Sequence, residues 1–405
     1  MKNRQIVTTW ADQEETTLVT RVQETEIPKL EPGEILVKNR YVPMHGSFWL
    51  ASHPDGIHPR RDEFLASGKF VFGNGGVAEV VDSRENEREV EVGDFVNVFG
   101  HLPCDHYDCY GCKVLHRYTE CDYGEGKIIG HGKGAPDGTY AEYTVLPRYA
   151  YDVCFKKDEQ PDKHELLPYM FGFLFADVRN ALTRHPDALR TRRMLLIGAG
   201  YSGLIAAYVF QRSSPESQIF AVDVSESRLE AIREIAPGAI ETYRIPSDVA
   251  NQLNSAEPRL GFRHELSETI EEMGAAIRQF FGGKGINVLF DCSSGNTTPL
   301  WDNKLILSPT TIAIPFGFGS EYVLLTKDLI QNSGLNLLMS RGVGNIRNRK
   351  ETLQLIKSGG NRFIRDFLIK DSRELSGIDG AMELIDRMHN PPRSLFEIEH
   401  AYISF

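Results

Sequence analysis

Over the first third of the chain, short apolar runs alternate with polar residues. EILVKNRYV (34–42), GGVAEVVDS (75–83) and DFVNVFG (94–100) are valine-rich and bounded by glycine, proline and charged residues, which predicts strands. Pro32-Gly33 and Gly93-Asp94 mark turns between them. The charge-dense segment 84–91 predicts a solvated hairpin tip. Near residue 165 the spacing changes. LLPYMFGFLFADVRNALTR is apolar at helical intervals. RRMLLIGAGYSGLIAAYVFQRS then reads as a buried strand, a glycine turn and a helix, and QIFAVDVSESRLEAIREI repeats that order. Further strands are predicted at INVLFDC (286–292), TTIAIPFG (310–317) and LNLLMSR (335–341), and a helix at ETLQLIKSG (351–359). RFIRDFLI (362–369) and RSLFEIEHAYISF (393–405) predict a return to short strands, and the polar stretch 249–275 a surface excursion.

Strands that alternate with helices form a parallel sheet with right-handed crossovers. The predicted fold class is therefore α/β. A β-rich domain is built from both ends of the chain, and a doubly wound parallel-sheet domain is inserted between them. The expected boundaries are 1–178, 179–345 and 346–405. A length of 405 residues fits two cores better than one.

Composition narrows the function. Hydrophobic residues make up 41% and charged residues 25%, as in a soluble globular enzyme. The formal net charge of −11 argues against nucleic acid as a partner. No apolar run approaches the roughly 20 residues that span a bilayer, and MKNRQIVTTWADQEE has no apolar signal core. The expectation is a cytoplasmic protein acting on a small molecule, with no membrane and no nucleic-acid partner.

Two motifs carry chemistry. Gly198, Gly200 and Gly203 form G-x-G-x-x-G after an apolar strand and at the start of a helix, with Tyr201 and Ser202 between the last two glycines. Asp223 ends the next strand. In that context the pattern predicts a dinucleotide site. Gly198 permits the tight turn, Gly200 lets backbone approach the pyrophosphate, and Gly203 lets helix and strand pack closely. The helix N-terminus offers N–H groups to the phosphates. Asp223 would accept the ribose hydroxyls and repel a 2′-phosphate, which favours NAD(H) over NADP(H). Arg228 could cover the adenine, pair with Asp223 or lie in solvent.

The second motif is CDHYDCYGCKVLHRYTEC. Cys104, Cys109, Cys112 and Cys121 are four of only six cysteines in the chain. In a reducing compartment such a cluster points to metal rather than disulfides. Four thiolates can close a tetrahedral zinc shell, which makes the predicted zinc structural. His106 is a rival for the place of Cys104, because His106-x-x-Cys109-x-x-Cys112 is equally regular. Cys154 and Cys292 are expected to be packing residues.

With these residues in place, the chain resembles the medium-chain dehydrogenase/reductase superfamily, the zinc alcohol and polyol dehydrogenase relatives, over nearly its whole length. The resemblance implies a GroES-like β-rich catalytic domain with a zinc lobe at about 100–125, and a Rossmann domain. VEVGDFVNVFG, DGTYAEYTVLP (137–147) and INVLFDCSSG are similar to family segments in the same order. The lobe departs from the family spacing C-x2-C-x2-C-x7-C, reading C-x4-C-x2-C-x8-C. Dimers or tetramers formed through the Rossmann domains are a further implication.

The catalytic-zinc motifs are altered more deeply. The family form C-G-[ST]-D-x-H reads His45-Gly46-Ser47-Phe48-Trp49-Leu50, and Gly-His-Glu reads Gly73-Asn74-Gly75. Asp177 is the candidate near the third ligand position. The resemblance then implies catalysis without zinc. His45 would be the acid/base group and Ser47 the proton relay; a metal held by His45 and Asp177 is the alternative. Phe48 and Trp49, with Tyr41 and LPYMFGFLF, suggest aromatic walls or core. The expected activity is NAD(H)-dependent hydride transfer to or from an alcohol or carbonyl. Reduction of a conjugated C=C or an iminium bond, and NAD(H) binding without catalysis, stay open as alternatives.

Overall fold

In the computed structural model the described residues are 2–11, 17–44, 46–53, 65, 68–84, 90–124, 126–131, 134–184, 189–190, 193–250, 267–293, 297, 301, 307–317, 335–337, 345–389 and 400–405. The chain divides into two compact units. One comprises residues 1–177 and 342–405, the other 178–341. Among the described residues no helix is long and apolar enough to cross a membrane.

The first unit carries β1 (Lys2–Trp10), β2 (Leu18–Glu26), β3 (Ile35–Pro43), β4 (Lys69–Phe70), β5 (Gly75–Ser83), β6 (Phe95–Phe99), β7 (His101–Leu102), β8 (Lys127–Ile128), β9 (Tyr143–Leu146) and β10 (Tyr151–Phe155). β1 pairs with β2 and β4, and β7 with β8. The main sheet runs β10-β6-β5-β3, with β9 also on β3. Its strands alternate, so one face closes over Ile35, Val37, Ala78, Val80, Val96 and Val98, all buried. Segment 85–89 of the expected hairpin tip lies outside the described residues.

The second unit is a parallel sheet of β11 (Arg193–Ile197), β12 (Gln218–Asp223), β13 (Ile240–Arg244), β14 (Ile286–Asp291), β15 (Leu307–Pro315) and β16 (Asn336–Leu337). The strand order is β13-β12-β11-β14-β15-β16. Met194, Leu195, Leu196 and Ile197 are all buried, the mark of a strand covered on both faces. The order reverses between β12-β11 and β14, so the ends of β11 and β14 flank the topological switch point where such sheets bind ligands. Residues 251–266 of the expected excursion and 338–341 of the expected strand lie outside the described residues.

The chain then returns to the first unit, where β18 (Ala401–Ser404) adds to β3 and β17 (Arg373–Ser376) adds to β18. The helix Ile346–Leu355 leads this return. Its Arg349 is buried and forms an ion pair with Asp152 on β10, donating from Nε to Oδ2 at 2.8 Å. Arg349 also donates to the carbonyl of Tyr149 at 2.7 Å and lies over the Phe99 ring.

One expectation is corrected and one open alternative is decided. RFIRDFLI is helical, not a strand: Asn361–Phe363 continues as a π-helix over Ile364–Ile369. Phe363, Ile364 and Leu368 are buried while Arg365 and Asp366 are exposed, an i, i+4 pattern that a short apolar run shares with a strand. Of the two readings left open for Phe48 and Trp49, aromatic wall or core, the structure gives core. Each is 1% exposed, in a core with Phe72, Tyr140 and Leu384. Phe48 meets Tyr140 edge-on at 4.9 Å between centroids.

Candidate functional site

The cysteine lobe is organised by one tight turn. Tyr110–Val114 forms a single π turn capped by Cys109, whose Sγ accepts the Cys112 N–H at 3.4 Å. Only glycine fits at 111: a Cβ there would lie 1.9 Å from the Glu120 carbonyl oxygen. This close approach brings Cys121 against the turn. Asp122 fastens the same corner by accepting the N–H of Tyr110 at 2.6 Å and of Gly111 at 3.3 Å.

The four sulfurs of Cys104, Cys109, Cys112 and Cys121 consequently lie within 4.8 Å of one another. Cys109 and Cys121 are 3.8 Å apart, sulfur to sulfur. A disulfide would need about 2.05 Å. A tetrahedral zinc with bonds of about 2.3 Å sets its sulfurs about 3.8 Å apart. The donor set and spacing fit a zinc site closed by protein. Of the two candidates for the fourth position, Cys104 lies in the group, whereas His106 stacks on Tyr123 with centroids 3.9 Å apart. Burial raises the Cys104 and Cys112 thiols. At Cys109 burial pushes the same way, but hydrogen bonding from the Cys112 amide and from Asp122's backbone outweighs it and lowers the thiol to about 7.

The dinucleotide candidate is built at the end of β11. Gly198 has φ of 93°, a left-handed turn, and its N–H donates to the Val222 carbonyl at 2.8 Å. A Cβ on Gly203 would sit 2.0 Å from the Gly198 carbonyl oxygen, so helix and strand approach as the fingerprint requires. The helix Tyr201–Ser213 begins with Gly200 as N-cap and no side-chain cap, which leaves its first N–H groups for an anion. Tyr201 is buried and Ser202 half-buried. Asp223 closes the loop: Oδ2 accepts the Ala199 N–H at 2.7 Å and Oδ1 the Ser225 N–H at 2.8 Å. Arg228 is half-buried near the start of the helix Glu226–Ile235.

Two residues beyond the fingerprint also shape this loop. Cys292 Sγ donates to the Gly198 carbonyl at 3.1 Å, more than the packing role its sequence suggests. Asp291, at the end of β14, is buried and accepts from Ser293 N, Ser293 Oγ and Trp301 Nε1. A carboxylate that ends a buried parallel strand is the sequence signal for it.

The altered catalytic motifs lie in the first unit. His45 lies outside the described residues. Ser47 falls in the helix Gly46–Ser52, of which only the backbone is described at that position. Asp177 is half-buried on the helix Gly172–Thr183, one turn beyond Phe173. Among the described residues, the four cysteines are the one group of three or more His, Cys, Asp or Glu placed to hold a metal, and Asp177 is in no such group. Asn74 is 9% exposed, and its Oδ1 has no hydrogen-bond partner among the described residues. His101, which sequence reasoning does not single out, is 6% exposed and lies flat on Phe173. A histidine closing the apolar run FVNVFG is the signal for it.

Comparisons with known proteins agree with this architecture. Residues 31–158 match the family model for the alcohol dehydrogenase GroES-like domain. The chain is 24% identical over 364 residues to the probable D-xylulose reductase A of Aspergillus clavatus, covering 84% of this chain and 91% of that protein. It is 32% identical over 211 residues to an L-threonine 3-dehydrogenase of Saccharopolyspora erythraea, covering 50% of this chain and 57% of that one. An alcohol dehydrogenase structure from Thermotoga maritima matches with a TM-score of 0.72 at 18% identity, covering 100% of this chain and 99% of that chain.

Proposed function

This chain belongs to the zinc-type medium-chain dehydrogenase/reductase superfamily, alcohol dehydrogenase-like NAD(P)-dependent oxidoreductases, and from that premise we propose that it uses NAD(H) to interconvert a small alcohol and its carbonyl without a catalytic zinc. The observation that carries the reading is the loop at Gly198–Gly203, with Asp223 fixed beside it by the Ala199 amide. A carboxylate there can accept two ribose hydroxyls and repels a 2′-phosphate. NADH is the preferred cofactor on that ground.

Cys104, Cys109, Cys112 and Cys121 would hold one Zn²⁺. Four thiolates leave no open position, so the metal would stabilise the lobe rather than activate substrate. The absence of a second zinc rests on residue chemistry. Asn74 stands where the family has its histidine ligand and Gly75 where it has glutamate, and a neutral amide oxygen is a poor zinc donor. When bound, the nicotinamide supplies or accepts hydride. The protein's own task is to bind the substrate and to manage the proton on its oxygen.

Relatives named for D-xylulose and L-threonine make polyols, ketoses and hydroxy amino acids the first classes to assay. NADH and NADPH turnover is measured across such a panel on protein whose zinc has been quantified. The proposal expects NADH-dependent turnover with one zinc per chain. No turnover on any alcohol or carbonyl, or activity that tracks a second zinc, overturns it.

A further inference from the structure

β10 is the edge strand of the main sheet, and the helix Ile346–Leu355 is pinned to it by the buried pair of Arg349 with Asp152. The pin does not close the space beside it. A groove of about 500 Å³ remains between strand and helix, in the range of about 300–1,000 Å³ that small-molecule sites occupy. Every residue that lines it belongs to the first unit.

Part of the lining is cationic. Lys350, Gln354 and Lys357 follow at intervals of four and three residues, so they share one face of the helix and of the π turn that continues it. Lys357 reaches Glu159 only at 3.9 Å, with side-chain exposures of 67% and 43%. Lys350 has no hydrogen-bond or ion-pair partner among the described residues. The carboxylate among the lining residues is that of Asp152, and Arg349 already neutralises it. The segment 345–370 carries seven Lys and Arg against two Asp and Glu, a net charge of +5 in a chain of net −11. A local field of that sign draws anions.

The rest of the lining is apolar, with one further donor. Val90, Val153 and Leu353 present hydrocarbon. Tyr169 also lines the groove and is 2% exposed. Its carbonyl accepts from Asn97, but its hydroxyl bonds to no described residue. A phenol so deeply set without a protein partner is a donor available to a ligand.

We propose that this groove binds a small organic carboxylate with an apolar body. Lys350 and Lys357 hold the carboxylate, Val90, Val153 and Leu353 cover the body, and Tyr169 and Gln354 add neutral hydrogen-bond donors. The proposal goes beyond the oxidoreductase reading and does not depend on it. A small anion without a body buries none of the apolar lining, and a neutral apolar molecule gives the ammonium groups no counter-charge, so each should bind more weakly than a molecule that has both.

The test is calorimetric titration of the full-length protein, without cofactor, with octanoate, acetate and octanamide. Wild type is expected to bind octanoate with a Kd below about 1 mM, and acetate and octanamide at least about tenfold more weakly. Lys350→Ala/Lys357→Ala should lose about tenfold in octanoate affinity, whereas Lys350→Arg/Lys357→Arg keeps the charge and should retain it. Gln354→Trp, at an exposed helix position, should fill the groove and abolish binding. Circular dichroism and melting check that each variant folds, and the three ligands on wild type decide the question without them. No octanoate binding by wild type, equal affinity for acetate or octanamide, or undiminished octanoate affinity in the double alanine variant or in Gln354→Trp overturns the proposal.

Discussion

The carboxylate of Asp223 accepts the amide N–H of Ala199 at 2.7 Å, which ties the end of β12 to the glycine loop that follows β11. One side chain thus shapes the loop and sets the charge beside it. Replacing Asp223 with Ser is expected to weaken NADH binding about tenfold and to narrow the preference over NADPH. Fluorescence titration with both cofactors checks it; an unchanged preference would remove Asp223 as the selector.

Gly203 packs against the Gly198 carbonyl. Gly203→Ala puts a methyl 2.0 Å from that oxygen, so the turn must open. Overpacking of this kind costs about 1–3 kcal/mol. The expected result is a lower melting temperature together with weakened NADH binding, both read in one thermal-shift titration.

The cysteine lobe is expected to carry one zinc per chain, measured by elemental analysis of protein purified without added metal. Cys112→Ser should remove it and lower the melting temperature, and a strong chelator should reproduce that loss in wild type. Retention of stoichiometric zinc in Cys112→Ser would mean that the metal lies elsewhere.

Arg349 pairs with Asp152 inside the first unit, with side-chain exposures of 1% and 7%. Arg349→Ala leaves Asp152 buried and uncompensated, and should cost about 3–5 kcal/mol. The double variant Arg349→Met/Asp152→Leu should recover much of that loss. Urea denaturation of the three proteins decides between a buried-charge penalty and simple lost packing.

Asp94 follows the Gly93 turn. Burial raises its carboxyl, but the Glu91 amide, the Lys156 ammonium at 2.9 Å and the Lys157 amide outweigh burial and hold it below the usual carboxylate range. Its folded pKa therefore lies below its unfolded one. The stability it contributes is complete above the unfolded carboxylate pKa of about 4 and disappears as pH falls through the folded value. Asp94→Asn should flatten the acid limb of the stability curve, as melts across that range would show.

Local pattern carried most of the fold into view. RMLLI could only be a strand buried on both faces, and GAGYSG after it could only be a strand-to-helix turn. RFIRDFLI could not be resolved, because eight residues with apolar positions at one- and four-residue spacing satisfy two periods. Phe48 and Trp49 beside a catalytic-looking histidine read equally as aromatic wall or core, because their burial depends on Phe72, Tyr140 and Leu384, residues far away in the chain. The cysteine lobe was legible as four thiols that could hold a metal. The exclusion of His106 was not, because it depends on the ring stacking on Tyr123. The burial of His101 was opaque for the same reason: it depends on the ring of Phe173, a contact that no spacing rule encodes.

Deuteride transfer tests the central claim most directly. Protein of known zinc content is incubated with NADH deuterated at both C4 positions and a mixture of ketoses and simple ketones, and the products are examined by mass spectrometry. The account predicts an alcohol carrying one deuterium on the former carbonyl carbon, formed by protein with one zinc per chain. No deuterated product from any carbonyl, or product only when a second zinc is bound, would contradict it.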